Sequence, residues 1–278
     1  MPRVSLIVIL HGDRIPLERL MQESSECYDE LLVIHDGEDF QDVRTLVAMY
    51  GGRFIERPRA YSQEPHVPFA LENASHDWIL RFDSDEYPSV ELRSWLKHFR
   101  RSEDVPGNVS GYRFICPAWN GRRAITRNWP NKYMRLFHRE RVRLVGVAEQ
   151  APVADFESKA EPMRFHHEPS VASQGIRNIL KPRNRQIRRN LVAALAGSPL
   201  NHPRWRYESD RWPAGWQQVK DHPIRTAFFR LVVWPPRQAL AMILSRDFPW
   251  PSVFTHAAIF HACVCFGVWR QQRQPKEY

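Results

Sequence analysis

Residues 76–86 read HDWILRFDSDE. Trp78–Phe82 is an apolar run broken only by Arg81, and Asp83-Ser84-Asp85-Glu86 follows with no spacer. A short apolar run bounded by polar residues reads as a strand buried in a sheet. The carboxylates then stand just beyond its C-terminal end. Three upstream runs repeat the pattern. Val4–Leu10 (VSLIVIL) leads into His11-Gly12-Asp13, Leu31–Ile34 (LLVI) into His35-Asp36-Gly37, and Arg53–Glu56 is a short third strand. Helical stretches fall between them at Leu17–Ser25, at Val43–Tyr50 before Gly51-Gly52, and at Phe69–Ala74. Strands alternating with helices over short connections predict an α/β fold with a mostly parallel sheet flanked by helices. Ligands bind such sheets beyond the carboxyl ends of the strands. His11, Asp36, Asp83 and Asp85 are therefore expected on one edge.

The pattern changes after Pro106-Gly107. Gly111–Cys116 and Tyr133–His138 are strand-like, and 141–147 alternates. The intervening loop AWNGRRAITRNWPNK is rich in Trp and Arg. A basic helix is expected over Gln174–Leu195 with Pro182 near its middle, then irregular chain over 199–223. Thr226–Leu244 and Ser252–Trp269 read as apolar or amphipathic helices separated by DFPWP, the first broken at Pro235-Pro236. The expected organisation is a catalytic domain over 1–170, a connecting region over 171–222 and a helical appendage over 223–278.

With 278 residues, 43% of them hydrophobic, the chain can bury a sizeable core, which excludes wholesale disorder. Its 4 cysteines include no CxxC pair, which excludes a zinc ribbon and a disulfide framework and favours a reducing compartment. The N-terminal apolar run lacks a small-residue cleavage pattern, so it is expected to be a strand and not a signal peptide. Charge is unevenly spread. Residues 1–110 hold 12 basic and 20 acidic side chains, and 111–278 hold 28 and 11. A basic half suits nucleic acid, anionic lipid or a phosphorylated substrate.

Asp83 and Asp85, one residue apart after a buried strand, can bind a hard divalent cation, Mg or Mn, against a diphosphate. The alternative is a solvated turn or a helix N-cap. Asp36 before Gly37 can meet a base or ribose; the alternative is an ordinary Asp-Gly turn. Neither a GxGxxG fingerprint nor a GxxxxGK[ST] loop is present, which argues against nicotinamide dinucleotide and Walker-type sites.

These residues carry a resemblance. VSLIVILHG, ELLVIHDGED, NASHDWILRFDSDE, SGYRF, YMRLFHRERVRLVG and VAEQ occur in the order found in family 2 glycosyltransferases of the GT-A fold. The chain resembles the bacterial lipopolysaccharide-core glucosyltransferases among them. That implies a metal-dependent, inverting transferase moving a hexose from a nucleotide-sugar to a hydroxyl of a cell-envelope or lipid-linked glycan. It also implies roles: Asp36 on the base, His11 beside the donor, Asp83 on the ribose or metal, Asp85 on the metal, and Glu149 as general base. His167, or its neighbour His166, would ligate the metal or steady the leaving diphosphate. Three departures stand out: His35 for a usual Asp, Ala148 for a usual His, and Val67-Pro68 for a usual Arg-Asn pair. Arg57, Arg59 and Arg81 are the candidates to compensate.

Trp119, Trp129 and Tyr133 are candidates to stack on acceptor sugars, and the basic 177–189 stretch to meet acceptor phosphates. The C-terminal helices mix aromatic residues with Arg, which suits a helix lying on an anionic membrane; the alternative is an ordinary pair of core helices packed on the catalytic domain. The expected place is the cytoplasm, peripheral on the inner face of the cell membrane. A different class of reading, a nucleic-acid-binding or catalytically inactive GT-A-like scaffold, fits the basic half. It gives no reason for carboxylates at successive strand ends, so nucleic acid is not an expected partner.

Overall fold

The structure, a computed structural model, describes residues 1–103, 105–119, 124–125, 131–143, 152–167, 179–196, 214–245 and 251–273. Its contacts divide into two units. The first comprises Met1–Ala118, Trp129–Leu144 and Ala151–Glu168, and the second Trp119–Asn128, Val145–Gln150 and Pro169–Tyr278.

In the first unit β1 (Val4–Leu10), β2 (Glu30–Asp36), β3 (Arg53–Arg57) and β4 (Trp78–Phe82) are parallel, ordered β3-β2-β1-β4. β1 is buried along its whole length, as a central strand covered on both sides must be. Its side chains alternate. Leu6, Val8 and Leu10 pack with Leu17, Leu20 and Met21 of α1 (Arg14–Ser24) and Leu46 and Val47 of α2 (Val43–Met49). Ile7 and Ile9 meet Val67 and Ala70 of α3 (Val67–Asn73) on the other face. Each such side chain contributes about 1.5–3 kcal/mol by leaving water.

After β5 (Glu86–Pro88), α4 (Val90–Arg101) packs Leu92, Leu96 and Phe99 into the core. Its N-terminus is capped by Ser89 Oγ, which accepts from the Leu92 N–H at 3.2 Å. β6 (Val109–Cys116) follows; next in the chain come the short β7 (Ala118–Trp119) and β8 (Ala124–Ile125), of which Trp119 and β8 belong to the second unit. β9 (Asn131–His138) leads to a short pair, β10 (Val142–Arg143) and β11 (Val153–Ala154), and the unit ends in β12 (Glu157–His167). The main sheet has 8 strands in the order β3-β2-β1-β4-β9-β6-β12-β5. β9 is antiparallel to β4 and β6, β12 parallel to β6, and β5 antiparallel to β12. The C-terminal ends of β1–β4, β6 and β12 and the starts of β9 and β5 therefore share one edge. The register places Cys116 opposite Asn131 and His167 opposite Glu86 there.

The second unit contains α5 (Pro182–Leu195), α6 (Ala214–Asp221), α7 (Pro223–Phe228), α8 (Trp234–Ser245) and α9 (Pro251–Gln272). Three expectations change. Pro182 does not sit inside a helix but starts one, with Lys181 extended at ψ 149°. Proline forces its predecessor out of the helical region and is well placed at the first helical position. Residues 214–221, expected to be irregular, form α6. Pro235-Pro236 does not break its helix. A π turn over Phe229–Val233 precedes it, and the Trp234 N–H donates to Phe229 O, five residues back. Both prolines then lie in the first turn of α8, where their missing N–H groups cost little. Among the described residues no helix is long and apolar enough to cross a membrane.

Candidate functional site

The edge at the ends of β1, β2 and β4 is built from three loops. His35, at 0% exposure, ties two of them together. Its Nε2 accepts from the Gly12 N–H at 3.0 Å, and its Nδ1–H donates to Gly37 O at 2.8 Å. This pairing fixes the neutral Nδ1–H tautomer. Gly12 and Gly37 have φ of 75° and 96°, the left-handed region that glycine enters without strain. His11 Nδ1–H donates to Asp36 O at 2.7 Å, and its ring lies 4.9 Å from Phe40. Ser84 Oγ donates to Asp13 Oδ2 at 3.4 Å, joining the β1 and β4 loops. Replacing His35 with Phe leaves the Gly12 N–H and Gly37 O without their partner. The expected cost is about 2–3 kcal/mol of stability, read as a lower urea midpoint at unchanged m-value.

Asp36 is 4% exposed and its carboxylate is held from within the protein. Oδ1 accepts from the Ala60 N–H at 2.5 Å and from His66 Nε2 at 2.9 Å, and Arg59 Nε lies 3.7 Å from Oδ2. Arg59 also donates to Asp36 O at 3.0 Å. Of the three arginines singled out in the sequence, Arg59 therefore reaches Asp36. Arg57 stacks on Phe69 at 3.9 Å, and Arg81 donates to Gln63 Oε1 at 3.2 Å. His66 was not anticipated. It stands immediately before Val67-Pro68, so a polar side chain is supplied one residue ahead of the position where the resemblance lacks one. Its Nδ1 is buried with no hydrogen-bond partner.

Asp83, Asp85 and Glu86 occupy the β4–β5 junction. His167 Nε2 stands 3.5 Å from Asp85 Oδ2. Burial opposes a charge on His167, but hydrogen bonds with Asp85 and Cys116 and the charges of Asp85 and Glu86 carry its pKa up to about 11. His166, its neighbour on β12, stacks on Tyr87 at 4.9 Å instead. Successive strand residues face opposite sides, so only one of the two histidines turns toward Asp85. Glu86, 1% exposed, accepts from the Asp83 N–H at 3.0 Å and pairs with Arg135 of β9. Arg135 also lies 3.8 Å from Asp83 Oδ2 and 5.2 Å from the Phe165 ring. Burial raises the Asp83 carboxyl, but Arg135, Arg81 and His167 and a hydrogen bond from Gln63 outweigh it and hold it below the usual range. Burial and the nearby Asp83 push Glu86 up to about 7, against the pull of Arg135 and His167. Arg135 and Glu86 were also unanticipated.

Asp36 and Asp85 thus lie at the ends of β2 and β4, strands separated only by β1, a lateral spacing of roughly 10 Å. Tyr133 is 41% exposed at the start of β9. Glu149 and Trp129 lie outside the described residues, as do the side chain of Trp119 and the first part of the 177–189 basic stretch.

The chain is similar over 99% of its length to a mannosyltransferase of Pyrobaculum calidifontis solved with GDP-Man and Mn2+. The match covers 88% of that chain, with TM-score 0.50 and 15% identity. The fold is GT-A. TarS of S. aureus aligns over 97% of this chain and 90% of its own 1–349 segment, with TM-score 0.38 and 12% identity. Glucosyl-3-phosphoglycerate synthase of Mycobacterium tuberculosis, solved with phosphoglyceric acid, aligns over 43% of this chain and 46% of its own, with TM-score 0.35 and 16% identity. This chain thus spans less than half of that synthase. No protein-family model and no curated protein matches the sequence.

Proposed function

We propose that the chain is a metal-dependent, inverting glycosyltransferase of the family 2 type. It moves a hexose from a nucleotide-sugar to a hydroxyl of a cell-envelope or lipid-linked glycan. The observation that carries this reading is the meeting of Asp85, in the β4–β5 junction, and His167 of β12 at the sheet edge that also holds Asp36. The GDP-Man and Mn2+ held by the Pyrobaculum mannosyltransferase support the choice of donor class and cation.

The residues fit a divalent cation. A carboxylate oxygen and an imidazole nitrogen suit Mn2+ and are tolerated by Mg2+. Among the described residues no group of three His, Cys, Asp or Glu is arranged to hold a metal alone. With two protein ligands, such an ion would rely on the substrate's phosphates and on water for the rest of its coordination, as Mg2+ commonly does at phosphate sites. Asp85 and His167 would hold the ion, which when bound would neutralise charge on the diphosphate leaving group. Asp83 faces the ribose, and His11 and Asp36 line the side of the base. The acceptor oxygen forms a bond to the anomeric carbon as the bond from that carbon to the diphosphate oxygen breaks. The nucleoside diphosphate leaves with the electron pair, and Glu149 takes the hydroxyl proton.

A thermal-shift panel of UDP- and GDP-sugars with and without Mn2+ tests the reading. A cognate donor at 100 times its Kd stabilises by about 2.7 kcal/mol, a rise of roughly 5–10 °C in Tm. The rise should require both donor and Mn2+. No shift with any donor in either condition overturns the proposal.

A further inference from the structure

Between Ile224 and Leu244 the second unit turns many of its large apolar side chains outward. Ile224, Phe228, Val232, Leu240 and Leu244 are 42%, 60%, 52%, 57% and 77% exposed, with Leu231 and Ile243 beside them at 42% and 61%. The groups that α7 buries are small or compact: Pro223, Thr226 and Ala227. A helix whose bulkiest residues face out while its smaller ones face in is inverted for a protein whose only neighbour is water. Ile224, Phe228, Val232, Leu240 and Leu244 fall on a four-residue spacing, with the exposed Pro236 at the intervening step. At 3.6 residues per turn such a ladder drifts around the helix. The π turn over Phe229–Val233 takes up more chain per turn and offsets part of that drift.

Charge decides what covers this face. Between Asp221 and Asp247 the sequence has no acidic residue, while Arg225, Arg230, Arg237 and Arg246 lie within the same interval. Arg225 and Arg237 are exposed beside the apolar ladder, and the Arg230 guanidinium lies 5.9 Å from the Trp234 ring. Bulky apolar groups with purely cationic companions match one surface chemistry, acyl chains beneath anionic headgroups. Arginine suits that boundary, because its stem packs on apolar groups while its head reaches phosphate. A second copy of this face would set arginine against arginine. Arg225, Arg230 and Arg237, spread along the stretch, suit a face that lies on the bilayer; among the described residues no helix is long and apolar enough to cross a membrane.

The structure assigns residues 224–244 as a surface for peripheral docking on anionic lipid. The assignment is independent of the donor chemistry. Co-sedimentation of the full chain with vesicles of phosphatidylcholine alone, or with about one third phosphatidylglycerol, tests it. Wild type should pellet with the anionic vesicles at least about tenfold more strongly than with the neutral ones, and less so at high salt. Phe228→Ser/Leu240→Ser/Leu244→Ser, all at exposed positions, should weaken that partition at least about tenfold while Tm stays within a few degrees. Arg225→Gln/Arg237→Gln should weaken anionic binding without creating a preference for neutral lipid. Equal pelleting with both vesicle types overturns the assignment, as does undiminished anionic binding by the serine variant. A concentration-dependent dimer that the serine variant abolishes would make a second copy the occupant and overturn it as well.

Discussion

Replacing Asp85 with Asn is expected to remove the metal-dependent part of donor binding and to lower sugar transfer by about 10³-fold or more. The size follows from what a bound cation supplies when charge develops on a leaving diphosphate, several kcal/mol, at about 1.4 kcal/mol per factor of ten. The substitution keeps the shape of the side chain and removes its charge. Its structural cost should be small, because the Asp85 side chain is 36% exposed and its contact with His167 is 3.5 Å long, and such half-exposed pairs contribute at most about 1 kcal/mol. Without the ion, Asp85 together with Cys116 and Glu86 carries the His167 pKa up to about 11, so an ion would have to displace that proton to take the ring nitrogen; the variant lowers this pKa, and an NMR titration of the metal-free ring would report that. His167→Ala should weaken Mn2+-dependent donor binding less severely, since one carboxylate ligand persists. Turnover by Asp85→Asn equal to wild type, with the fold intact, would remove the metal from the mechanism. Loss of donor binding equally with and without Mn2+ would mean that the loop, and not the ion, had been disturbed.

Much of the architecture is legible because the first four strands announce themselves locally. VSLIVIL, LLVI and WILRF are short apolar runs, each closed by polar residues, and burial on both faces demands that pattern. β12 gave no such signal. Its 11 residues are mostly half-exposed or exposed and carry Glu157, Lys159, Glu161 and Arg164; partners on β6 and β5 define it as a strand. α4 does carry a local signal. Ser89 precedes a stretch with Leu92, Leu96 and Phe99 at helical spacing, a cap and an apolar face. The π turn follows from two adjacent prolines, but local rules equally permit a break there.

The site divides in the same way. Asp36, Asp83 and Asp85 are visible because each follows a strand. The groups that hold them are not, because their contacts are distant in sequence. His66 reaches Asp36 from 30 positions away and Arg135 reaches Glu86 from 49. His35 shows the difference most plainly. In the sequence it is a departure from the resemblance, and in the structure it is the residue that joins the Gly12 and Gly37 loops. Changes at a family's polar positions therefore do not by themselves mark a dead site, since here the replaced group bonds to the backbone.

Removing the Arg135 guanidinium should be the most damaging single change to stability. Arg135 is 15% exposed on its side chain and Glu86 is 2%, so Arg135→Met leaves a deeply buried carboxylate without its closest cation. Deleting one member of a buried pair costs about 3–5 kcal/mol, a fall in Tm on the order of 10 °C for a chain of this size. Arg135→Met/Glu86→Gln should regain part of the loss, because the second change removes the unpaired charge and keeps an acceptor for the Asp83 N–H. The deficit should also depend on pH. In the folded protein Glu86 stands at about 7, above its ordinary 4.5, so the folded state retains a proton that the unfolded chain gives up. The stability that this proton contributes is complete below about pH 4.5 and lost as pH rises through 7. Without Arg135 the carboxyl rises further, which prolongs that loss to higher pH. The gap in Tm between Arg135→Met and wild type should therefore be wider at pH 8 than at pH 5. An equal gap at both values would assign the role of Arg135 to its stacking on Phe165 and Tyr133 and not to its charge.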